Sequence, residues 1–120
     1  MEKYKFGEME EKFANMIWDN APIQTRKLIT LCEQVFDWKR TTTYTMLRRL
    51  IDRGIFENDK GIVSVLVKKE DFLAGKSQEF LEKSFGGSLP NFLAAFTRRK
   101  KLSEEEIKEI QRIIDGYKEG

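Results

Sequence analysis

Residues 38–54 read WKRTTTYTMLRRLIDRG, and this stretch decides the fold because its helical wheel separates an apolar face from a threonine and arginine face. The apolar face comprises Thr43, Met46, Leu47, Leu50 and Ile51. The opposite face comprises Thr41, Thr45, Arg48 and Asp52, flanked by Thr42, Tyr44 and Arg49. Hydroxyl and guanidinium groups can donate to phosphates and to base edges. The pattern predicts either an ordinary amphipathic surface helix or a DNA-reading helix, and the neighbouring sequence favours the second.

Two further helical patterns precede this stretch. Apolar residues recur at helical spacing over residues 9–18, and the turn-forming sequence DNAP follows at 19–22. A second helix is predicted from about Gln24 to Phe36, and its apolar stripe consists of Leu28, Leu31, Cys32 and Val35. The stripe places Cys32 on a buried face, where we expect it to pack and not to react. Two short helices joined by a tight turn predict a helix-turn-helix.

A β-hairpin is predicted directly after the third helix. Gly54 ends that helix, and two β-prone runs follow, Ile55–Glu57 and Ile62–Val67, separated by residues 58–61. Three helices followed by a hairpin form a winged helix, and Lys60 at the hairpin tip is a candidate phosphate contact. We expect residues 1–68 to form this DNA-binding domain.

Residues 69–120 are predicted to be entirely helical. The first helix covers about Glu70–Phe85, Ser88 caps the second, and Ser103 with Glu106 forms a capping box for the third. Three short helices bury too little apolar surface alone, so a second copy of the chain is the simplest partner. The alternative is that they fold back onto the winged helix of the same chain. Candidate dimerisation residues are Phe80, Leu81, Phe85, Leu89, Phe92, Leu93, Phe96, Ile107, Ile110, Ile114 and Tyr117. The expected fold class is mainly α with a small β-hairpin: a winged helix-turn-helix followed by an all-α dimerisation tail.

The composition excludes several other functions. A net charge of +2 means that any field attracting DNA must be local, and residues 37–54 carry five Lys or Arg against two Asp. The chain has no histidine, so we expect no enzyme, no cofactor and no metal site. Residues 104–106, three glutamates, fit the first turn of a helix better than a metal cluster. No apolar run approaches the roughly 18 to 20 residues of a membrane span, and we expect a cytoplasmic protein without membrane insertion.

With these elements in this order, the chain resembles the BlaI/MecI family of penicillinase repressors over nearly all of its length. The residues in register with the family's recognition segment are Trp38, Thr42, Thr45, Leu47, Arg49, Leu50 and Gly54. Residues 17–19 match the end of the family's first helix, and the tail sequences FGGSLPNFLAAF and LSEEEIKEI resemble its dimerisation region.

The resemblance implies a homodimeric transcriptional repressor that controls resistance or stress genes. It would bind a palindromic operator, with half-sites related to TACA and TGTA, through the helix at about 41–53 and a short wing. The candidate DNA-binding residues are Lys39, Arg40, Thr41, Thr42, Tyr44, Thr45, Arg48, Arg49 and Lys60. The alternative is a winged-helix adaptor that binds other proteins without sequence-specific DNA binding.

The chain departs from the family pattern at several positions. Tyr44 stands where the family usually has Lys or Arg, Lys39 and Arg40 replace a Ser-Pro pair, and the wing is short. The resemblance implies a regulatory protease that cuts the tail at Ala95–Phe96, but the family's Asn is replaced there by Ala95. The related copper repressors carry paired CxC motifs in the tail, and this tail has no cysteine, which excludes copper sensing of that kind.

Overall fold

The computed structural model describes residues 4–120 and confirms a mainly helical chain with one small sheet. In order, its elements are α1 (Glu8–Asn20), β1 (Ile23–Gln24), α2 (Thr25–Phe36), α3 (Arg40–Asp52), β2 (Phe56–Asp59), β3 (Ile62–Val65), α4 (Lys69–Ser84), α5 (Leu89–Arg99) and α6 (Glu104–Glu119). The chain divides into two compact units, Met1–Glu79 and Phe80–Gly120. The expected domain boundary after residue 68 lies at the start of α4, whereas the two units divide after Glu79, inside that helix.

The turn between α2 and α3 is short and fixed by the backbone. Asp37 ends α2 in a left-handed conformation, with φ 57°, and the N–H of Trp38 donates to the carbonyl of Cys32 at 3.3 Å. The Trp38 ring packs against Phe13 and Phe36, with centroid separations of 5.3 and 4.8 Å. The helix α3 can therefore begin at Arg40, one residue before the predicted start.

The sheet contains three strands, whereas the sequence predicted a two-stranded hairpin. The strand order is β1-β3-β2, and both pairs are antiparallel. The two-residue strand β1 is too short to show an alternating pattern, and it exists because β3 offers it a pairing edge. The predicted hairpin bounds were also wrong: β2 continues to Asp59, and β3 ends at Val65. The connecting turn is only Lys60–Gly61.

The core of the first unit lies between the inner face of α3, the helices α1 and α2, and the small sheet. Thr43, Leu47 and Leu50 of α3 are buried, together with Phe13 of α1 and Leu28 of α2. Cys32 is fully buried, as predicted, and its thiol lies 3.8 Å from the sulfur of Met16. Burial raises the pKa of this thiol.

The prediction that Val35 is buried was wrong, because 62% of its surface is exposed. It lies in the last turn of α2 beside Lys12, Asn15 and Asp19 of α1, whose polar side chains do not cover it.

The start of α4 is part of the first unit's core through Phe72, which is 1% exposed. Its ring contacts those of Tyr4, Phe6 and Trp18 at centroid distances of 5.5, 4.7 and 5.3 Å. One turn later, Gly75 leaves room for the Tyr4 ring, since a Cβ there would collide with it. The N-terminal segment therefore packs directly on α4.

The second unit comprises the end of α4 with α5 and α6, and none of its residues is buried. Phe85 and Phe92 lie edge to face at 5.6 Å, and Phe80 packs against both. The Ser88 hydroxyl caps α5 by accepting from the N–H of Asn91 at 3.1 Å. The predicted capping box of Ser103 and Glu106 is confirmed.

We expect Phe72→Ala to lower the free energy of unfolding of the first unit by about 3 to 5 kcal/mol, because it leaves a cavity among three aromatic rings. Leu73→Ala, at the neighbouring exposed position, should change it by about 0.5 kcal/mol or less. Urea titration followed by tryptophan fluorescence measures this unit alone, since the two tryptophans, Trp18 and Trp38, both belong to it. Equal effects of the two variants would contradict the packing role of Phe72.

Candidate nucleic-acid interface

All nine candidate DNA-binding residues are exposed. Eight of them lie between Lys39 and Arg49, at the start and along the outer face of α3, and Lys60 lies in the turn between β2 and β3. Tyr44 is 42% exposed although it is aromatic. The structure thus leaves the polar face of α3 exposed to solvent.

Two depressions flank this face. The larger one, of about 800 Å³, lies between α3 and β2, and its lining includes Tyr44, Arg48, Asp52 and Asn58. The smaller one, of about 250 Å³, is lined by Thr41, Thr42, Thr45, Met46 and Arg49. Thr45 borders both depressions, so it lies on the ridge between them.

The Thr45 hydroxyl donates to the carbonyl of Thr41 at 2.9 Å. Its proton is thereby engaged within the helix, while its oxygen keeps a lone pair on the exposed side. In the major groove, the amino groups of cytosine and adenine are the donors that such an acceptor can read. The geometry therefore gives Thr45 the character of an acceptor.

Positive charge is concentrated at the start of α3. Lys39 is the N-cap residue and makes no side-chain cap hydrogen bond, Arg40 follows it, and the first turn holds no acidic residue. By contrast, the first turns of α1 and α6 each contain three glutamates. Cations at the positive end of a helix are unfavourable in the free protein, whereas a phosphate placed there is favourable. This arrangement suits an anionic partner.

Arg53 does not contribute to the positive charge exposed on α3, although it is one of the five Lys or Arg residues of the segment 37–54. Its guanidinium pairs with Glu10 at 3.0 Å, and the two side chains are only 10% and 15% exposed. It also donates to the carbonyl of Lys5 at 2.8 Å and lies 4.9 Å from the centroid of the Phe6 ring. Arg53 therefore holds the N-terminal segment against the end of α3.

The wing is the hairpin of β2 and β3, and Lys60 lies in its tight turn. Lys60 and Gly61 have φ angles of 52° and 82°, as a two-residue hairpin turn with the strands' own twist requires. The N–H of Gly61 donates to the side chain of Asn58 at 3.1 Å. The Gly61 carbonyl accepts from the backbone N–H and the hydroxyl of Thr25, at 2.8 and 3.2 Å.

Sequence reasoning missed Thr25 and Asn58, although the run Asn58-Asp59-Lys60-Gly61 carries a turn signal that could have indicated Asn58. Thr25 acts across 36 residues, and no local pattern marks it.

The described residues hold no cluster of three or more histidine, cysteine, aspartate or glutamate side chains fit for a metal ion. Among residues 4–120, every helix is too short or too polar to cross a membrane.

Helix α3 is buried on one face and exposed on the other, and the β2–β3 hairpin that follows it is the wing. This arrangement defines a winged helix-turn-helix protein. The chain belongs to the penicillinase repressor family, whose model matches residues 6–116. It is similar to a penicillinase repressor of Bacillus licheniformis, with 30% identity over 95% of this chain and 92% of that protein. It is also similar to the methicillin resistance regulatory protein MecI of Staphylococcus aureus, with 26% identity over 93% of this chain and 94% of that protein. The family is one of transcriptional repressors.

We expect Lys39→Asp to act in opposite directions on stability and on DNA affinity. An aspartate at this N-cap would accept from free backbone N–H groups and face the positive end of α3, raising the free energy of unfolding by about 1 kcal/mol. The same change would repel phosphates and weaken duplex binding at every salt concentration. Urea titration and fluorescence anisotropy measure the two effects.

Lys101→Asp provides the matched control, because it makes the same charge change at an exposed residue before α6. It should leave both quantities nearly unchanged. If Lys39→Asp and Lys101→Asp weaken duplex binding equally, the start of α3 has no special role.

Proposed function

We propose that the protein is a homodimeric transcriptional repressor that binds a palindromic operator. Each subunit would insert α3 into the major groove, with Lys60 on the adjacent phosphate backbone, and would occlude a promoter. The observation that carries this proposal is the exposed threonine and arginine face of α3 beside the wing, in a chain of a repressor family. We also propose a cytoplasmic location, where the promoter would be bound, and no catalytic activity.

The relatives' names suggest which genes are controlled. One is called a penicillinase repressor and another a methicillin resistance regulatory protein. We therefore propose resistance or stress genes as targets. A regulatory protease remains part of the proposal, but the Ala95–Phe96 bond lies within α5, so cleavage there would first require α5 to unwind locally.

Dimerisation is supported by the exposed apolar side chains of the second unit. Phe80, Leu89, Ile107, Ile114 and Tyr117 are between 45% and 87% exposed in the single chain. A unit of about 40 residues without a buried residue is too small to be stable alone, and a second copy would remove these side chains from water. Two-fold symmetry in the protein would match two-fold symmetry in the operator.

We expect Phe80→Glu and Ile110→Glu each to convert a dimer into monomers, because each places a charge in an apolar contact. Light scattering at several protein concentrations measures the mass directly. Lys108→Glu, on the opposite face of α6, should leave the dimer intact. A wild-type chain that is monomeric at all concentrations, or a dimer that survives both substitutions, would refute dimerisation through the tail.

For DNA reading, we expect Thr42→Ala and Thr45→Ala to lower affinity and to relax preference at one base pair each. Arg49→Ala and Lys60→Ala should weaken all sequences alike and reduce the slope of log affinity against log salt by about one each. Selection from randomised duplexes, followed by anisotropy, separates the two behaviours. An unchanged sequence preference in both threonine variants would remove them from the base-reading set.

A protein-binding adaptor is the second candidate. Two observations favour it: the net charge is only +2, and Asp52 lines the larger depression beside α3. An adaptor would show weak duplex binding without sequence preference, whereas a repressor's affinity should fall steeply with salt.

A further inference from the structure

The start of α3 contains an aromatic and cationic pair that the proposed function does not by itself assign. The guanidinium carbon of Arg40 lies 5.7 Å from the centroid of the Tyr44 ring, one helical turn along the same face. A cation within about 6 Å of a ring face is attracted by the ring's quadrupole. Within residues 4–120 no carboxylate pairs with Arg40, so the ring of Tyr44 is the group that orients it.

Both members of the pair face solvent in the free protein. Arg40 is exposed, and Tyr44 is 42% exposed on the wall of the larger depression between α3 and β2. Tyr44 is not among the buried core residues, and the part of its ring that remains in water has a cost in free energy. The contact with Arg40 gives the ring a role on the outer surface.

The chemistry of the pair favours a base over a phosphate as the partner of Arg40. Attraction through the ring face leaves the five N–H donors at the edge of the guanidinium free, in a planar fork. That fork matches the O6 and N7 acceptors of guanine in the major groove. Arg40 is also the first residue of α3, and it is the N-terminal residues of a recognition helix that reach base edges. Lys39 beside it already supplies a point charge for phosphates.

We propose that Arg40 reads one guanine in each operator half-site and that Tyr44 is the positioning residue that fixes its guanidinium. This inference rests on the proposed function, because it requires α3 to lie in the major groove. It makes the pair a determinant of specificity and not only of affinity.

The test uses the full-length wild-type protein and an operator obtained by selection from randomised duplexes. Each guanine of one half-site is replaced in turn by 7-deazaguanine, which lacks the N7 acceptor. We expect the wild-type protein to lose affinity at one guanine, and Arg40→Ala to be insensitive to that replacement. On unmodified operator, Arg40→Ala should bind about 5- to 150-fold more weakly, the range expected for loss of one bidentate base contact.

Arg48→Ala is the matched control, since it removes an exposed arginine from the same helix. It should lower affinity for every duplex while keeping the sensitivity to 7-deazaguanine. If no guanine is sensitive in the wild-type protein, or if Arg40→Ala keeps the full sensitivity, Arg40 is not a guanine reader. A wild-type protein that cannot distinguish a selected operator from scrambled duplex would instead refute the proposed function itself.

The positioning role of Tyr44 is tested by keeping or removing the ring. Tyr44→Phe keeps it and should retain the guanine preference, whereas Tyr44→Leu should reduce that preference by about two- to five-fold, the range for an exposed cation–π contact. Equal losses in both variants would assign the effect to the phenol hydroxyl and overturn the positioning role. Unfolding midpoints measured by tryptophan fluorescence establish that each variant is folded.

Discussion

The structure of the first unit depends on the hydrophobic burial of one face of α3, which leaves the opposite face exposed to water. Burial of Leu47 and Leu50 fixes the rotation of the helix about its axis, so the outward direction of Thr45 and Arg48 follows from packing. Thr43 is buried among apolar residues because it lies on the inner face, whereas the threonines beside it are exposed. The face that could read DNA is therefore set by hydrophobic burial on its opposite side.

The charges of α3 are divided between structure and surface. Arg53, at the end of the helix, is held by Glu10, a backbone carbonyl and an aromatic ring, and it joins the N-terminal segment to the core. Lys39 and Arg40, at the start of the helix, have no carboxylate partner among the described residues and oppose the helix dipole. A free protein selected for stability alone would favour Ser or Asp at the N-cap. The proposed operator would account for both cations, since Lys39 would meet a phosphate and Arg40 a guanine.

Much of the fold could be predicted from the sequence because helical periodicity and caps are local signals. The helices and the capping box of Ser103 lie at or within a residue or two of their predicted places. The strand β1 could not be predicted, since a two-residue strand forms only when β3 is beside it. The hydrogen bonds of Arg53 to the N-terminal segment and of Thr25 to the wing could not be predicted either, because their partners lie 48 and 36 residues away. The sequence predicts which residue types lie on the exposed face of α3. Which of its Lys and Arg side chains are exposed depends on tertiary ion pairs such as that of Arg53 with Glu10.

The measurement that tests the central claim most directly is fluorescence anisotropy of the wild-type protein, in a salt series, with the duplex upstream of its own gene and a scrambled duplex of equal length. A repressor should prefer the native duplex by about 10³-fold or more at physiological salt, and its affinity for both should fall as salt rises. Equal and weak binding to the two duplexes would contradict the repressor account and favour a protein-binding adaptor.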